Sequence, residues 1–165
     1  MRIIVTGGTG QIGSEVLRKC IETPDITKVF AITRRPLQSE LTANAKLVNI
    51  IHTDFSTYPE SLLSQLSGAE CCIWSLGTTL TKGKGEYELH HGPDVEYTIN
   101  AANAFVEHLQ PHLGGKKFRF VYVSAWVAER DQQKQIWIGD VARKSKVQSP
   151  ASHCYVLIVF RLADG

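Results

Sequence analysis

Directly after a short run rich in β-branched residues, Arg2–Thr6 (RIIVT), the chain reads Gly7-Gly8-Thr9-Gly10-Gln11-Ile12-Gly13. Glycines stand at the first, fourth and seventh places of a turn that leaves a strand and enters a helix. Few structures accept this pattern. The first glycine allows a tight turn, the second lets a ligand come close to the backbone, and the third lets the helix lie close to the sheet. The N–H groups of a first helical turn have no acceptor within the helix, and the helix dipole is positive at that end. Such a turn holds an anion, and this glycine spacing suits a diphosphate. Thr9, Gln11 and Ile12 complete the candidate binding segment.

Beyond this turn, strand and helix patterns alternate. Gln11–Glu22 carries Ile12, Val16, Leu17, Cys20 and Ile21 at helical spacing and stops before Pro24. Lys28–Thr33 (KVFAIT) and Lys46–His52 (KLVNIIH) read as the second and third strands. Pro59–Leu66 reads as a short helix, and Ala69–Ser75 (AECCIWS) as the fourth strand. The stretch from Gly77 to Pro93 has loop composition. Val95–Leu113 places Ile99, Ala102, Val106 and Leu109 on one helical face, ended by Gly114 and Gly115. Phe118–Ser124 (FRFVYVS) is a fifth strand, Ile136–Lys146 a helix candidate, and Cys154–Phe160 (CYVLIVF) a sixth strand. Alternation of this kind predicts an α/β fold, a Rossmann-like doubly wound parallel sheet of order 3-2-1-4-5-6. Its ligand would sit beyond the carboxyl ends of the strands, around the first and fourth.

One domain accounts for all 165 residues, since no repeat, linker or low-complexity tract divides them. A net charge of +2 argues against nucleic acid as a partner. The longest apolar run, Cys154–Phe160, is far short of a transmembrane segment, and the N-terminus lacks a signal-peptide layout. Cys20, Cys71, Cys72 and Cys154 form no spaced metal set. They read as small buried thiols of a cytoplasmic protein, with Cys71 and Cys72 on opposite faces of a strand.

The end of the second strand selects among dinucleotides. An acid there would bond a ribose 2′-hydroxyl and favour NAD. The chain instead has Arg34-Arg35, and the next acid is Glu40. Paired guanidinium groups suit a 2′-phosphate, which points to NADP. Asp54-Phe55 follows the third strand, and Leu76-Gly77-Thr78 follows the fourth, both at the expected ligand edge. Asp54 could accept from an adenine amino group or serve equally well in a turn.

The pattern Gly-Gly-Thr-Gly-x-Ile-Gly resembles that of the short-chain dehydrogenase/reductase superfamily, in its extended and atypical members. Arg34-Arg35-Pro36, Asp54-Phe55, Trp74–Thr78, Phe118–Ser124 and Ala128–Asp131 are similar to fungal nucleoside-diphosphate-sugar epimerase-like, NAD(P)-binding proteins. The likeness runs from residue 2 to about residue 146. It implies an NADP-dependent oxidoreductase or epimerase-like protein acting on a small carbonyl or hydroxyl compound. Superfamily members that reduce carbonyls use a Ser together with a Tyr and a Lys four apart on a helix, the Lys lowering the phenol pKa. Ser124 stands where the family serine stands, and Lys146 best matches the lysine. Ala142 occupies the tyrosine position, and none of the five tyrosines has a lysine four residues later. The active site therefore reads as degraded. Asp140 and the pair His90-His91 are alternative acids or bases, and no metal site is expected.

The chain reads as shortened at the C-terminus. Leu162 stands where the family has proline, and the segment expected to wall a substrate pocket does not follow. Subunit pairing through the long helices beside the fourth and fifth strands is expected by analogy, giving a possible homodimer. Three functional readings follow: a nucleotide-dependent enzyme, a non-catalytic NADP(H) redox sensor or interaction module, and a truncated relative without activity of its own.

Overall fold

A computed structural model describes residues 1–77 and 96–123 in full, together with the backbone of Ser124, 135–138, 141–144 and 155–159. In chain order the elements are β1 (Arg2–Thr6), α1 (Gln11–Glu22), β2 (Lys28–Thr33), α2 (Ser39–Thr42), β3 (Leu47–Ile51) and α3 (Glu60–Leu63), which runs on as a 3-10 turn, Ser64–Leu66. There follow β4 (Cys71–Trp74), α4 (Tyr97–Leu109) with a 3-10 turn, Gln110–His112, and β5 (Arg119–Ser124). The last three strands are β6 (Gln135–Ile138), β7 (Val141–Lys144) and β8 (Tyr155–Val159).

The main sheet has the order β3-β2-β1-β4-β5-β8. Every pairing in it is parallel. This is the order expected from the alternation, with β8 as the sixth sheet strand. Central strands of such a sheet are covered on both faces, which is why they read as apolar runs without polar alternation. Ile3, Val5, Val29, Ala31, Leu47 and Cys71 pack with Leu17 and Cys20 of α1 on one face. Ile4, Phe30, Ile32, Ile50, Cys72, Trp74 and Phe120 pack with Leu62, Leu66, Ala101, Ala102, Phe105 and Leu109 on the other. Adjacent Cys71 and Cys72 do point to opposite faces, and both are buried free thiols, as is Cys20.

α1 ends where predicted. The Thr23 amide and hydroxyl both donate to the Lys19 carbonyl, and Pro24 prevents another turn. Gly114 and Gly115 take φ of +60° and +84° and carry the chain from the 3-10 turn toward β5.

Two expectations need correction. The buried side of α4 is Ala101, Ala102, Phe105 and Leu109, rotated from the stripe through Ile99 and Val106. Phe105 sets the rotation, because its ring reaches Tyr58 at 5.1 Å and Phe118 at 6.3 Å between centroids. Second, where a helix is expected over 136–146, the described residues 136–138 and 141–144 are strand. β6 and β7 pair as an antiparallel two-stranded sheet, with Trp137 opposite Ala142. The run Gln-Ile-Trp-Ile has strand propensity.

Candidate functional site

β1 and β2 each end in a turn at the same edge of the sheet. After β1, Gly7 takes φ of +70° and its carbonyl accepts the Gly10 amide at 2.8 Å. The glycines have separate physical duties. A Cβ on Gly7 would lie 2.5 Å from the Ser75 carbonyl oxygen, and one on Gly13 would lie 2.1 Å from the Gly7 carbonyl oxygen. Both positions are closed by the protein's own backbone. Among the described residues a Cβ on Gly10 would come near only the Gly7 oxygen, at 3.3 Å. Gly10 is therefore the glycine at which a ligand can approach the chain.

Gly10 caps α1 without a side-chain hydrogen bond, and the first turn of the helix holds no acidic residue. The amides of Gln11, Ile12 and Gly13 find no acceptor among the described residues; the first helical bond is Ser14 N–H to the Gly10 carbonyl at 2.9 Å. Thr9, Gly10, Gln11 and Ile12 are exposed, and Gly13 is buried beneath them. Unpaired amides, the positive end of a helix dipole and the lack of an acidic residue in the first turn are features that suit an anion.

Ser75, which sequence reasoning missed, holds this turn in place. Its hydroxyl donates to the Thr6 carbonyl at 2.5 Å, and its amide donates to the Thr6 hydroxyl at 3.2 Å. The end of β4 is thereby tied to the end of β1, directly under Gly7 and Gly13. A serine after a strand carries no distinguishing signal in one sequence.

After β2, Arg34, Arg35 and Pro36 are exposed while Thr33 and Leu37 are buried on either side. Neither guanidinium has an ion-pair partner among the described residues. The two arginines thus stand free at the edge next to the glycine turn.

Asp54 lies in the loop after β3, exposed, with its carboxylate already engaged. It accepts from the Ser56 amide at 3.0 Å, from the Ser56 hydroxyl, and from the Thr57 hydroxyl at 3.2 Å. The Ser56 hydroxyl and amide hold its pKa below the ordinary carboxylate value. This is the turn role, and the remaining lone pairs still leave room for an external donor. Phe55 is only 2% exposed, with its ring against Trp74, so only its backbone can face a ligand. Leu76 is half-buried and Gly77 exposed just past β4.

Ser124 is the last residue of β5, two places beyond the paired Trp74 and Tyr122. Strands lie about 4.8 Å apart, so β5 is roughly 10 Å from β1 on the side away from the arginine turn. Thr78, His90, His91, Asp140 and Lys146 lie outside the described residues. Among the described residues no cluster of metal-binding side chains occurs. No helix there is long and apolar enough to cross a membrane.

Comparison with known proteins agrees with this geometry. Leucinostatins biosynthesis cluster protein T of Purpureocillium lilacinum is 37% identical over 126 residues, covering 75% of this chain and 42% of that protein. The mitochondrial protein fmp52 of Emericella nidulans is 31% identical over 106 residues, covering 62% of this chain and 46% of that protein. The chain thus spans less than half the length of these relatives. Among solved structures, an NAD complex of uronate dehydrogenase from Agrobacterium tumefaciens superposes with a TM-score of 0.55 at 20% identity, over 86% of this chain and 48% of that one. The dTDP-glucose 4,6-dehydratase DesIV of Streptomyces venezuelae superposes with a TM-score of 0.59 at 23% identity, over 76% of this chain and 39% of that one. Both likenesses concern the fold. The family profile matches residues 3–125, from β1 to one residue beyond β5, and the chain belongs to the NAD dependent epimerase/dehydratase family.

Proposed function

We propose that this chain binds NADP(H) and belongs to an oxidoreductase or epimerase-like protein acting on a small carbonyl or hydroxyl compound. The carrying observation is the set of unpaired amides at Gln11, Ile12 and Gly13, opened to a ligand by Gly10. These residues would hold the pyrophosphate. Arg34 and Arg35, one strand away and without an ion pair among the described residues, would hold the 2′-phosphate; Asp54, the Phe55 backbone and residues 76–78 would line the adenine and nicotinamide ends. Bound NADP(H) would supply hydride exchange with a carbonyl or hydroxyl carbon. NAD is the less favoured nucleotide, because no acid follows β2 until Glu40.

For the chemistry, Ser124 at the end of β5 would orient a substrate oxygen, and Lys146 would contact the nucleotide. No Tyr-x-x-x-Lys pair exists to move the proton. That absence favours a second reading, a sensor of NADP(H) redox state that signals without turnover. The family match supports a nucleotide-dependent protein but names no substrate, and the length of the relatives leaves the whole protein's activity a proposal.

Thermal melting with NADPH and NADH tests the binding. NADPH at about 100 times its Kd adds roughly 2.7 kcal/mol of stability. A Tm that neither nucleotide moves overturns the reading. Arg34→Glu should abolish the preference for NADPH while sparing NADH. Turnover on a panel of aldehydes and ketones then separates enzyme from sensor. The cytosolic expectation stands against a relative named as mitochondrial, and subcellular fractionation of the full-length protein decides it. Analytical ultracentrifugation tests the homodimer.

A further inference from the structure

β3 reads Leu-Val-Asn-Ile-Ile, and a polar side chain in such a strand is costly unless its hydrogen-bonding groups are met. Asn49 is half-buried, in register with Ala31 of β2. Its Nδ2 donates to the Ala31 carbonyl at 3.1 Å and to the Thr33 hydroxyl at 2.8 Å. Its Oδ1 accepts from the Leu37 amide at 2.9 Å. The Thr33 hydroxyl passes the contact on by donating to the Arg35 carbonyl at 2.7 Å. The amide can be oriented only one way, since an N–H must meet its oxygen and a carbonyl its NH2 group.

These bonds bind backbone on both sides of Arg34 and at Arg35 itself, while both guanidinium groups stay exposed. Leu37 closes the turn from beneath. A Cβ on Gly8 would lie 3.6 Å from Leu37 Cδ2 and 3.7 Å from Thr33 Cγ2, so the arginine turn rests on the glycine turn. A surface turn bearing two long cations would otherwise lose conformational freedom on meeting a ligand, and ordering it beforehand improves affinity.

We propose that Asn49 is a positioning residue for nucleotide discrimination: acting through Thr33 and Leu37, it fixes the backbone from which Arg34 and Arg35 reach the 2′-phosphate of NADP(H). This rests on the NADP(H) reading above. A residue serving only to stabilise the fold would affect both nucleotides alike, whereas this role concerns the one phosphate they do not share.

The test measures Kd for NADPH and NADH in the wild type, Asn49→Ala, Thr33→Val, the double variant Arg34→Ala/Arg35→Ala, and that double variant carrying Asn49→Ala. Charge-assisted hydrogen bonds set the scale. Asn49→Ala should weaken NADPH at least about fivefold and leave NADH within about twofold. Thr33→Val should act in the same direction, and it carries the test alone if Asn49→Ala does not fold. Adding Asn49→Ala to the arginine-less protein should cause no further loss of discrimination. Equal weakening of both nucleotides, or a preference that survives both single variants, overturns the role of Asn49 alone. A wild type that does not prefer NADPH overturns the nucleotide reading, and the role falls with it.

Discussion

The turns after β1 and β2 lie side by side and face the same edge, yet they are held by different means. Backbone shapes the first. Gly7 and Gly13 are glycines because a Cβ at either would meet a peptide oxygen at 2.5 Å or less. Side chains shape the second. Asn49, twelve residues beyond Leu37, and Thr33 tie a turn whose own residues could adopt many conformations. The first turn has no slack, and its failure should damage the fold. The second can be loosened without unfolding the sheet, and its failure should be felt by the ligand.

Gly13→Ala is the strongest way to break that contrast. A methyl group 2.1 Å from a backbone oxygen must push α1 off β1. We expect a loss of about 3 kcal/mol or more, read as a fall in Tm of roughly 6–12 °C, and no nucleotide binding. If the melting temperature is unchanged, the turn is not closed by its own backbone.

Ser75→Ala should come next. It deletes the donor to the Thr6 carbonyl and should cost about 1 kcal/mol in a denaturant midpoint. A neutral result would mean that β4 does not anchor the turn.

Gly10→Ala sharpens the comparison from the other side. A Cβ there presses on the Gly7 oxygen at 3.3 Å, far less than at Gly7 or Gly13, and φ of −89° suits any residue, so stability should fall by only about 1 kcal/mol. Binding of either nucleotide should still weaken tenfold or more, about 1.4 kcal/mol, because the methyl stands where the ligand approaches. Unimpaired titration would remove Gly10 from the site.

The smallest effect concerns Cys20, on the buried face of α1, whose thiol desolvation pushes up to about 11. Only the thiolate reacts, so iodoacetamide at pH 8 should label Cys20 very slowly in the wild type and in Asn49→Ala. Gly13→Ala should label quickly, because α1 is dislodged. The same shift has a stability consequence. The unfolded thiol ionises near 9.0 and the folded one does not, so the folded state holds more protons above that value. Stability should therefore decline as pH rises from about 9 toward 11. Fast labelling in Asn49→Ala would show that the arginine turn is not separable from the α1 layer.

Much of the fold could be read from the residues. β1, α1 and β2 begin and end where hydrophobic period, Pro24 and the glycines put them. Their signals are local: buried parallel strands need apolar runs, and an amphipathic helix needs its own period. The helix expected over 136–146 failed because a weak local preference was settled by pairing between β6 and β7. The buried face of α4 was misplaced because the aromatic neighbours of Phe105 come from residues 58 and 118, far away in sequence.

What the amino acids determined by themselves is the glycine turn and, through the alternation of strand and helix patterns, the order of the parallel strands. A backbone that tolerates no Cβ leaves a visible record, since one residue type alone satisfies it. Tertiary structure alone decided how that edge is held together. Ser75 reaches Thr6 across 69 residues, and Asn49 reaches the arginine turn from the neighbouring strand. Many residue types can sit at the end of a strand, and only the register of parallel strands determines which of them finds a partner.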